Sequence, residues 1–294
     1  MKPLRWVIAF IALATLCLST ELLAQEYKPV LKIAEKPTPY NFEGEKLKFR
    51  LYWTIFHVAD SSSKVERVGP GKLKFWGKVS TAGVASWFKK ITDEGYSIWN
   101  EEVKSPEKTY LYQKEGKYER IRVYTYDFEK RVVQYKKINP KKNKVKVKFI
   151  RIPFIPFEDI VSSVYFFRKY GIFEVGKETV FPLFAGGKFQ NVSFKVVAKE
   201  KVDTLFGEIE AYKVVPSNNL SPEGAFERKG KVIFWFSADE RRLPIKAVGE
   251  VAIGSVKAVL VDAKGKDFDL KKEYEEIKKK KALEKVLTGD IGGE

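Results

Sequence analysis

The chain has 294 residues, 44% of them hydrophobic, and Lys+Arg 55 against Asp+Glu 38 give it a formal charge of +17. That is enough apolar material for one sizeable core, and the basic excess points toward an acidic partner or a negatively charged surface. A single cysteine and a single histidine exclude a disulfide framework and a histidine–cysteine metal cluster, and together with a single methionine they fit a thermophile's avoidance of labile side chains.

In chain order, Lys2 and Arg5 precede the apolar run WVIAFIALATLCL, and Ala24 stands before Gln25, the pattern of a cleaved secretory signal over residues 1–24. The run is shorter than the about 20 residues of a spanning helix. The expected product is periplasmic, with outer-membrane association left open. Cys17 follows Leu16, where lipidation would need a small side chain.

Residues 25–39 form an extended lead-in. Leu47, Phe49, Leu51, Trp53 and Ile55 then alternate with polar residues, the period-two signature of a strand with one buried face. Leu73, Phe75 and Val79 repeat the pattern after a VGPGK turn, so these two ribbons are expected to pair antiparallel. The segment Ala85–Ile91 reads equally as a short helix or a loop. Strands are expected at Gly95–Glu102, Thr109–Lys114, Tyr118–Tyr126 and Arg131–Ile138, separated by turn-rich SPEK, KEGK and YDFEK. Lys144–Arg151 continues them with a cationic outer face.

Ile152–Gly171 is the one convincing amphipathic helix before the tail. Pro156 suits its first turn, Glu158 and Asp159 the positive end of its dipole, Arg168 and Lys169 its last turn, and Gly171 a left-handed cap. Ile160, Val161, Val164, Tyr165 and Phe167 share one apolar face, with Arg168 in its middle. Glu178–Leu183, Phe189–Lys199, Gly207–Pro216, Lys231–Phe236, Ile245–Gly254 and Ser255–Asp262 again read as strands, with Gly186-Gly187 and SNNLSPEGA as loops. From Lys264 the chain becomes a charged helical or disordered tail. The predicted fold is mainly β: a strongly curved antiparallel sheet of roughly a dozen strands over residues 40–263, a half-open barrel wrapping one central helix, with the tail at 264–294.

Four segments carry a resemblance: FEGEKLKFRLYW (Phe42–Trp53), KEGKYERIRVYTYDFEKRVV (Lys114–Val133), PFEDIVSSVYFFR (Pro156–Arg168) and WFSADERRLPIKAVGEVAIGSVKAVL (Trp235–Leu260). In order and spacing, from Phe42 to Asp262, the chain resembles the domain-of-unknown-function family 3108 of exported bacterial proteins. The resemblance implies a periplasmic protein folded like the lipoprotein carriers LolA and LolB, and no established activity.

No catalytic constellation, metal site or cofactor motif is present in the pattern. His57 stands without a G-x-S-x-G, no Gly-rich phosphate loop follows a strand, and the neighbouring acids Glu43 with Glu45 and Asp239 with Glu240 read as solvated turns. An enzyme is therefore not expected. Arg168 is expected to be partly buried against a carboxylate, Glu45 or Asp239. A carrier would shelter a lipid or acyl chain between sheet and helix, lined by Leu47, Phe49, Leu51, Trp53, Phe75, Ile160, Val164 and Phe167. The alternative is an envelope structural protein. It would meet an anionic polymer or membrane surface through Lys141, Lys142, Lys144, Lys146 and Lys148, within a run from Tyr135 to Arg151 of eight Lys/Arg and no acid. Export argues against nucleic acid, and a monomer is expected.

Overall fold

The structure, a computed structural model, describes residues 27–83, 85–88, 90–216, 232–250 and 254–287. The expected signal segment, the SNNLSPEGA loop and the end of the tail lie outside the described residues. The strands are β1 (Lys46–Trp53), β2 (Phe56–Gly69), β3 (Lys72–Thr81), β4 (Ile91–Asn100), β5 (Ser105–Glu115), β6 (Tyr118–Asp127), β7 (Val132–Asn139), β8 (Lys144–Arg151), β9 (Glu158–Asp159), β10 (Glu178–Ala185), β11 (Lys188–Thr204), β12 (Gly207–Pro216), β13 (Val232–Ser237), β14 (Pro244–Glu250) and β15 (Ser255–Lys264). Helices are α1 (Ala85–Phe88), α2 (Ser162–Tyr170) and α3 (Leu270–Leu287), with a 3-10 turn at Pro140–Lys142.

The fifteen strands among the described residues belong to one sheet, ordered β8-β7-β6-β5-β4-β3-β2-β1-β15-β14-β13-β12-β11-β10-β9. Two runs of hairpins therefore spread outward from the β1–β15 pair at the centre. Every pairing is antiparallel except β9 with β10, where Glu158 and Asp159 lie beside Leu183 and Phe184 in parallel. The sheet is mainly β, mixed, and not closed into a barrel: β8 and β9 are its two outer strands.

The expected pairing of the first ribbon with the Leu73–Val79 ribbon is corrected. β1 ends at Trp53, Thr54 turns the chain with φ 54°, and β2 lies between β1 and β3. The run Asp60–Lys64 hid this strand because its side chains are polar on both faces, so no alternation of hydrophobicity marks it. β4 starts four residues before the predicted Gly95 for a related reason. Its buried positions are Ile91, Asp93, Gly95, Ser97 and Trp99, so alternation of burial is present without alternation of hydrophobicity.

The helix is shorter than predicted. α2 begins at Ser162, and Glu158 and Asp159 form strand β9 instead of a first helical turn. The reason lies in Asp159, whose Oδ1 accepts the backbone N–H of Val161 at 2.7 Å and of Ser162 at 2.8 Å. These are donors orphaned at a helix start, so the helix begins after Asp159. Gly171 is extended, with φ −66°, not left-handed. Its glycine answers to space, because a Cβ there would sit 2.4 Å from the Phe167 carbonyl oxygen.

A nine-residue helix is marginal alone, so packing holds it. Tyr165 stacks on Phe75 of β3 with centroids 4.2 Å apart, Phe166 meets Phe181 of β10 at 5.0 Å, and Phe167 meets Phe236 of β13 at 5.3 Å. Burying each such ring contributes about 1.5–3 kcal/mol. Val164, predicted on the apolar face, is 43% exposed, and Phe166 takes the buried position.

Candidate functional site

Three sequence-distant segments converge on the C-terminal end of α2. Arg168 is wholly buried. Its Nη1 and Nη2 donate to Glu45 Oε1 and Oε2, each at 2.6 Å, and its Nε and Nη2 donate to the carbonyls of Arg242 and Arg241, each at 2.9 Å. The guanidinium also lies 4.6 Å from the Phe42 ring centroid. Burial disfavours its charge, but Glu45 outweighs that and raises the Arg168 pKa further. Tyr40 Oη donates to Glu45 Oε2 at 3.1 Å, and burial raises its own pKa. Arg242 Nη1 closes the arrangement by donating to the Arg168 carbonyl at 2.8 Å and the Gly171 carbonyl at 3.2 Å. The lead-in adds Ala34 N–H to the Tyr170 carbonyl and Thr38 N–H to the Lys169 carbonyl. The last carbonyls of α2 are thus satisfied from three directions.

Strand β9 holds two fully buried carboxylates. Asp159 Oδ2 accepts from Ser97 Oγ and Thr109 Oγ1, and Glu158 Oε1 accepts from Trp99 Nε1 at 3.2 Å. Glu158 Oε2 has no hydrogen-bond partner among the described residues. Burial raises both carboxyl pKa values, at Glu158 well above the ordinary range, where the charge of Asp159 adds to it.

Two cavities lie in this region, one lined by Trp99, the donor to Glu158, and one by Asp159 itself. The first, of about 210 Å³, lies between α2 and strands β3 and β4, with Leu73, Phe75, Trp99, Tyr165 and Phe166 as apolar walls and Arg67, Glu101 and Lys169 around it. Arg67 is held by Glu43 at 2.7 Å and Glu101 at 2.8 Å, and burial lowers the Lys169 pKa. The second, of about 80 Å³, lies against β5, β6 and β7, where Thr109, Tyr124, Tyr126, Tyr135 and Asp159 meet Arg122 and Lys137. Among the described residues no three His, Cys, Asp or Glu gather as a metal site, and no helix is long and apolar enough to cross a membrane.

The family model for proteins of unknown function DUF3108 matches residues 48–261. The chain belongs to the DUF3108 family. No curated protein matches its sequence. Among solved structures it is similar to a β-barrel-like protein of domain of unknown function DUF1849 from Brucella abortus, with 10% identity, 78% of this chain and 100% of that chain covered, and a TM-score of 0.49. It is also similar to a candidate exported protein with a YmcC-like fold from Bacteroides fragilis, at 12% identity, 76% and 97% coverage and a TM-score of 0.31. A candidate lipoprotein from Parabacteroides distasonis matches at 11% identity, 78% and 97% coverage and a TM-score of 0.27.

In this DUF3108 chain the residues named for one cavity are distributed over several places. Phe75 lines the larger cavity and Ile160 the smaller. Leu51 is enclosed with Val79, Ile91 and Val256, Leu47 with Trp235, Leu243 and Leu260, and Phe49 and Trp53 pack at the edges of those clusters. Phe167 is buried against Phe194 and Phe236, and Val164 faces solvent. Period-two patterning tells inward from outward but not which part of a long sheet a side chain serves. Of the carboxylates named for Arg168, Glu45 makes the contact, while Asp239 binds Ser237 Oγ and Arg241 Nε, each at 2.6 Å. Lys141, Lys142, Lys144, Lys146 and Lys148 are all exposed, and His57 Nε2 lies 2.9 Å from Asp60 Oδ1. Sequence reasoning missed Arg242, Glu158, Arg122 and Lys137. Only the ERR of WFSADERRLP, two adjacent arginines in a turn, could have signalled the first.

Proposed function

We propose that the chain is an exported, non-catalytic binding module, with residues 40–263 curving as a half-open barrel around α2 to hold one apolar chain of a lipid-like amphiphile. The observation that carries this reading is the cavity of about 210 Å³ between α2 and β3–β4. Interiors are ordinarily close-packed, so walls of Leu73, Phe75, Trp99, Tyr165 and Phe166 left apart call for a guest. Its volume is below the about 300–1,000 Å³ of a drug-sized site, which suits a single chain end and not a whole diacyl lipid. The ionic groups Arg67, Glu101 and Lys169 would keep a polar head at the surface. The leader-like residues 1–24 support an envelope setting.

Mass spectrometry of a solvent extract from protein purified from its native host tests the reading. The expected result is a stoichiometric single-chain lipid, and uptake of a fluorescent fatty acid that Leu73→Trp blocks. A lipid-free extract together with no probe uptake would remove the carrier.

One observation favours a second reading, an envelope protein that works through its surface. Outer strand β8 exposes Val145 (58%), Val147 (46%) and Phe149 (69%) between exposed lysines, which suits contact with an anionic membrane surface.

A further inference from the structure

Strands β6, β7 and β8 place cations where a sheet ordinarily avoids them. Arg122 lies directly opposite Lys137, and Lys137 directly opposite Lys146, so three like charges stand abreast on one face. Arg120, two residues from Arg122 along β6, projects on the same side. Like charges in directly opposed positions destabilise a sheet. None of the four is in an ion pair among the described residues.

Their surroundings differ from those of ordinary edge lysines. Arg120, Arg122 and Lys137 are half-buried, and Arg120 Nε is buried with no hydrogen-bond partner. Arg122 Nη1 donates to Gln113 Oε1, a neutral acceptor. Burial lowers the Lys137 pKa, and the charges of Arg120, Arg122 and Lys146 lower it further. Lysines that only guard an edge against other strands are solvated, which leaves the buried Arg120 donor unexplained. Arg122 and Lys137 also line the cavity of about 80 Å³, beside the phenols of Tyr124, Tyr126 and Tyr135. That space exceeds the about 30 Å³ that one water occupies. The carboxylate in it, Asp159, is held by Ser97, Thr109 and the N–H groups of Val161 and Ser162, and among the described residues it forms no ion pair with the row.

We propose that this cation row and the cavity beside it bind a phosphate-bearing group, with Arg122 and Lys137 on its oxygens and Arg120 as the third cation. A phosphate turns the mutual repulsion into shared attraction, and a guanidinium fork matches its oxygens in pairs. The site is separate from the apolar cavity under α2 and stands or falls independently of it.

Titration calorimetry with inorganic phosphate and with monomeric dihexanoyl phosphatidic acid tests the proposal, alongside melting temperatures in phosphate-free buffer. Lys137→Gln and Arg122→Gln are expected to weaken phosphate binding by about tenfold or more, while Lys137→Arg retains it. Without phosphate, Lys137→Gln is expected to melt higher than wild type, because it removes repulsion; a merely structural lysine would melt lower on removal. Equal affinity for the two probes identifies a free phosphate group as the ligand, and tighter binding of the phosphatidic acid identifies a lipid headgroup. The proposal is overturned if neither probe binds, if folded Lys137→Gln and Arg122→Gln bind as wild type does, or if Lys137→Gln lowers the melting temperature.

Discussion

Arg168 and Glu45, 123 positions apart in the chain, form a two-pronged ion pair whose side chains are 0% and 1% exposed. Removing one partner leaves a buried charge with nothing opposite it. Arg168→Ala is therefore expected to cost about 3–5 kcal/mol, read as a large fall in the guanidinium midpoint. Glu45→Leu combined with Arg168→Met should cost less than the two single changes added together, since no charge is stranded. Some loss remains, because the carbonyls of Arg241 and Arg242 lose their donor. A midpoint near wild type for Arg168→Ala would remove the pair from the architecture.

The pair shows what the sequence could and could not reveal. An arginine within an apolar helical stripe is a legible anomaly, and so was a carboxylate in the Phe42–Trp53 segment. Mainly-β character was legible from alternation in β1, β3 and β15, where Leu47, Phe49 and Leu51, Leu73, Phe75 and Val79, and Val256, Ala258 and Leu260 fall on alternate positions. β2 and the start of β4 were not, because Ser61–Ser63 and Asp93 hold strand positions without apolar side chains. The helix start was misplaced for the same kind of reason: Asp159 was read for its charge near a dipole, whereas it acts through its hydrogen bonds to Val161 and Ser162. Charge rows across strands depend on register, so Arg122 beside Lys137 could not be read from either strand alone.

Asp93 predicts a pH dependence. Burial raises its pKa to about 7, against an ordinary 3.8. The folded state then binds more protons than the unfolded state between those values, so stability falls as pH rises from about 4 to about 7 and levels off above. Glu158 and Asp159, also raised by burial, add the same sign. Asp93→Asn should flatten part of this slope and be the more stable protein at pH 8, by a few kcal/mol at most. Parallel wild-type and Asp93→Asn slopes in chemical denaturation across this range would show that Asp93 is charged throughout.

Substitutions at two leucines separate filled core from cavity. Leu51 is 0% exposed within a closed cluster, so Leu51→Trp should overpack it and cost about 1–3 kcal/mol. Leu73 lines the space of about 210 Å³, and Leu73→Trp should be tolerated there with less loss. Fatty-acid uptake, measured by fluorescence, should disappear in Leu73→Trp and persist in folded Leu51→Trp. The reverse pattern would place the guest elsewhere in the sheet.

The outer strand β8 offers the last test. Phe149 is 69% exposed and Val147 46%, so Phe149→Ser with Val147→Ser should change stability by no more than about 0.5 kcal/mol each, because neither side chain fills a core. If β8 meets a membrane surface, the same pair of changes should weaken sedimentation with phosphatidylglycerol vesicles, since the rings and methyls would no longer enter the headgroup layer. Replacing Lys144, Lys146 and Lys148 with Gln should weaken it by about 1 kcal/mol per lysine and flatten its salt dependence. Phosphatidylcholine vesicles, lacking net charge, should bind poorly from the start. Equal binding to both vesicle types, or none to either, would leave the lysines with the single task of keeping β8 from pairing with another chain; a dimer appearing in the triple Gln variant on size-exclusion chromatography would identify that task directly.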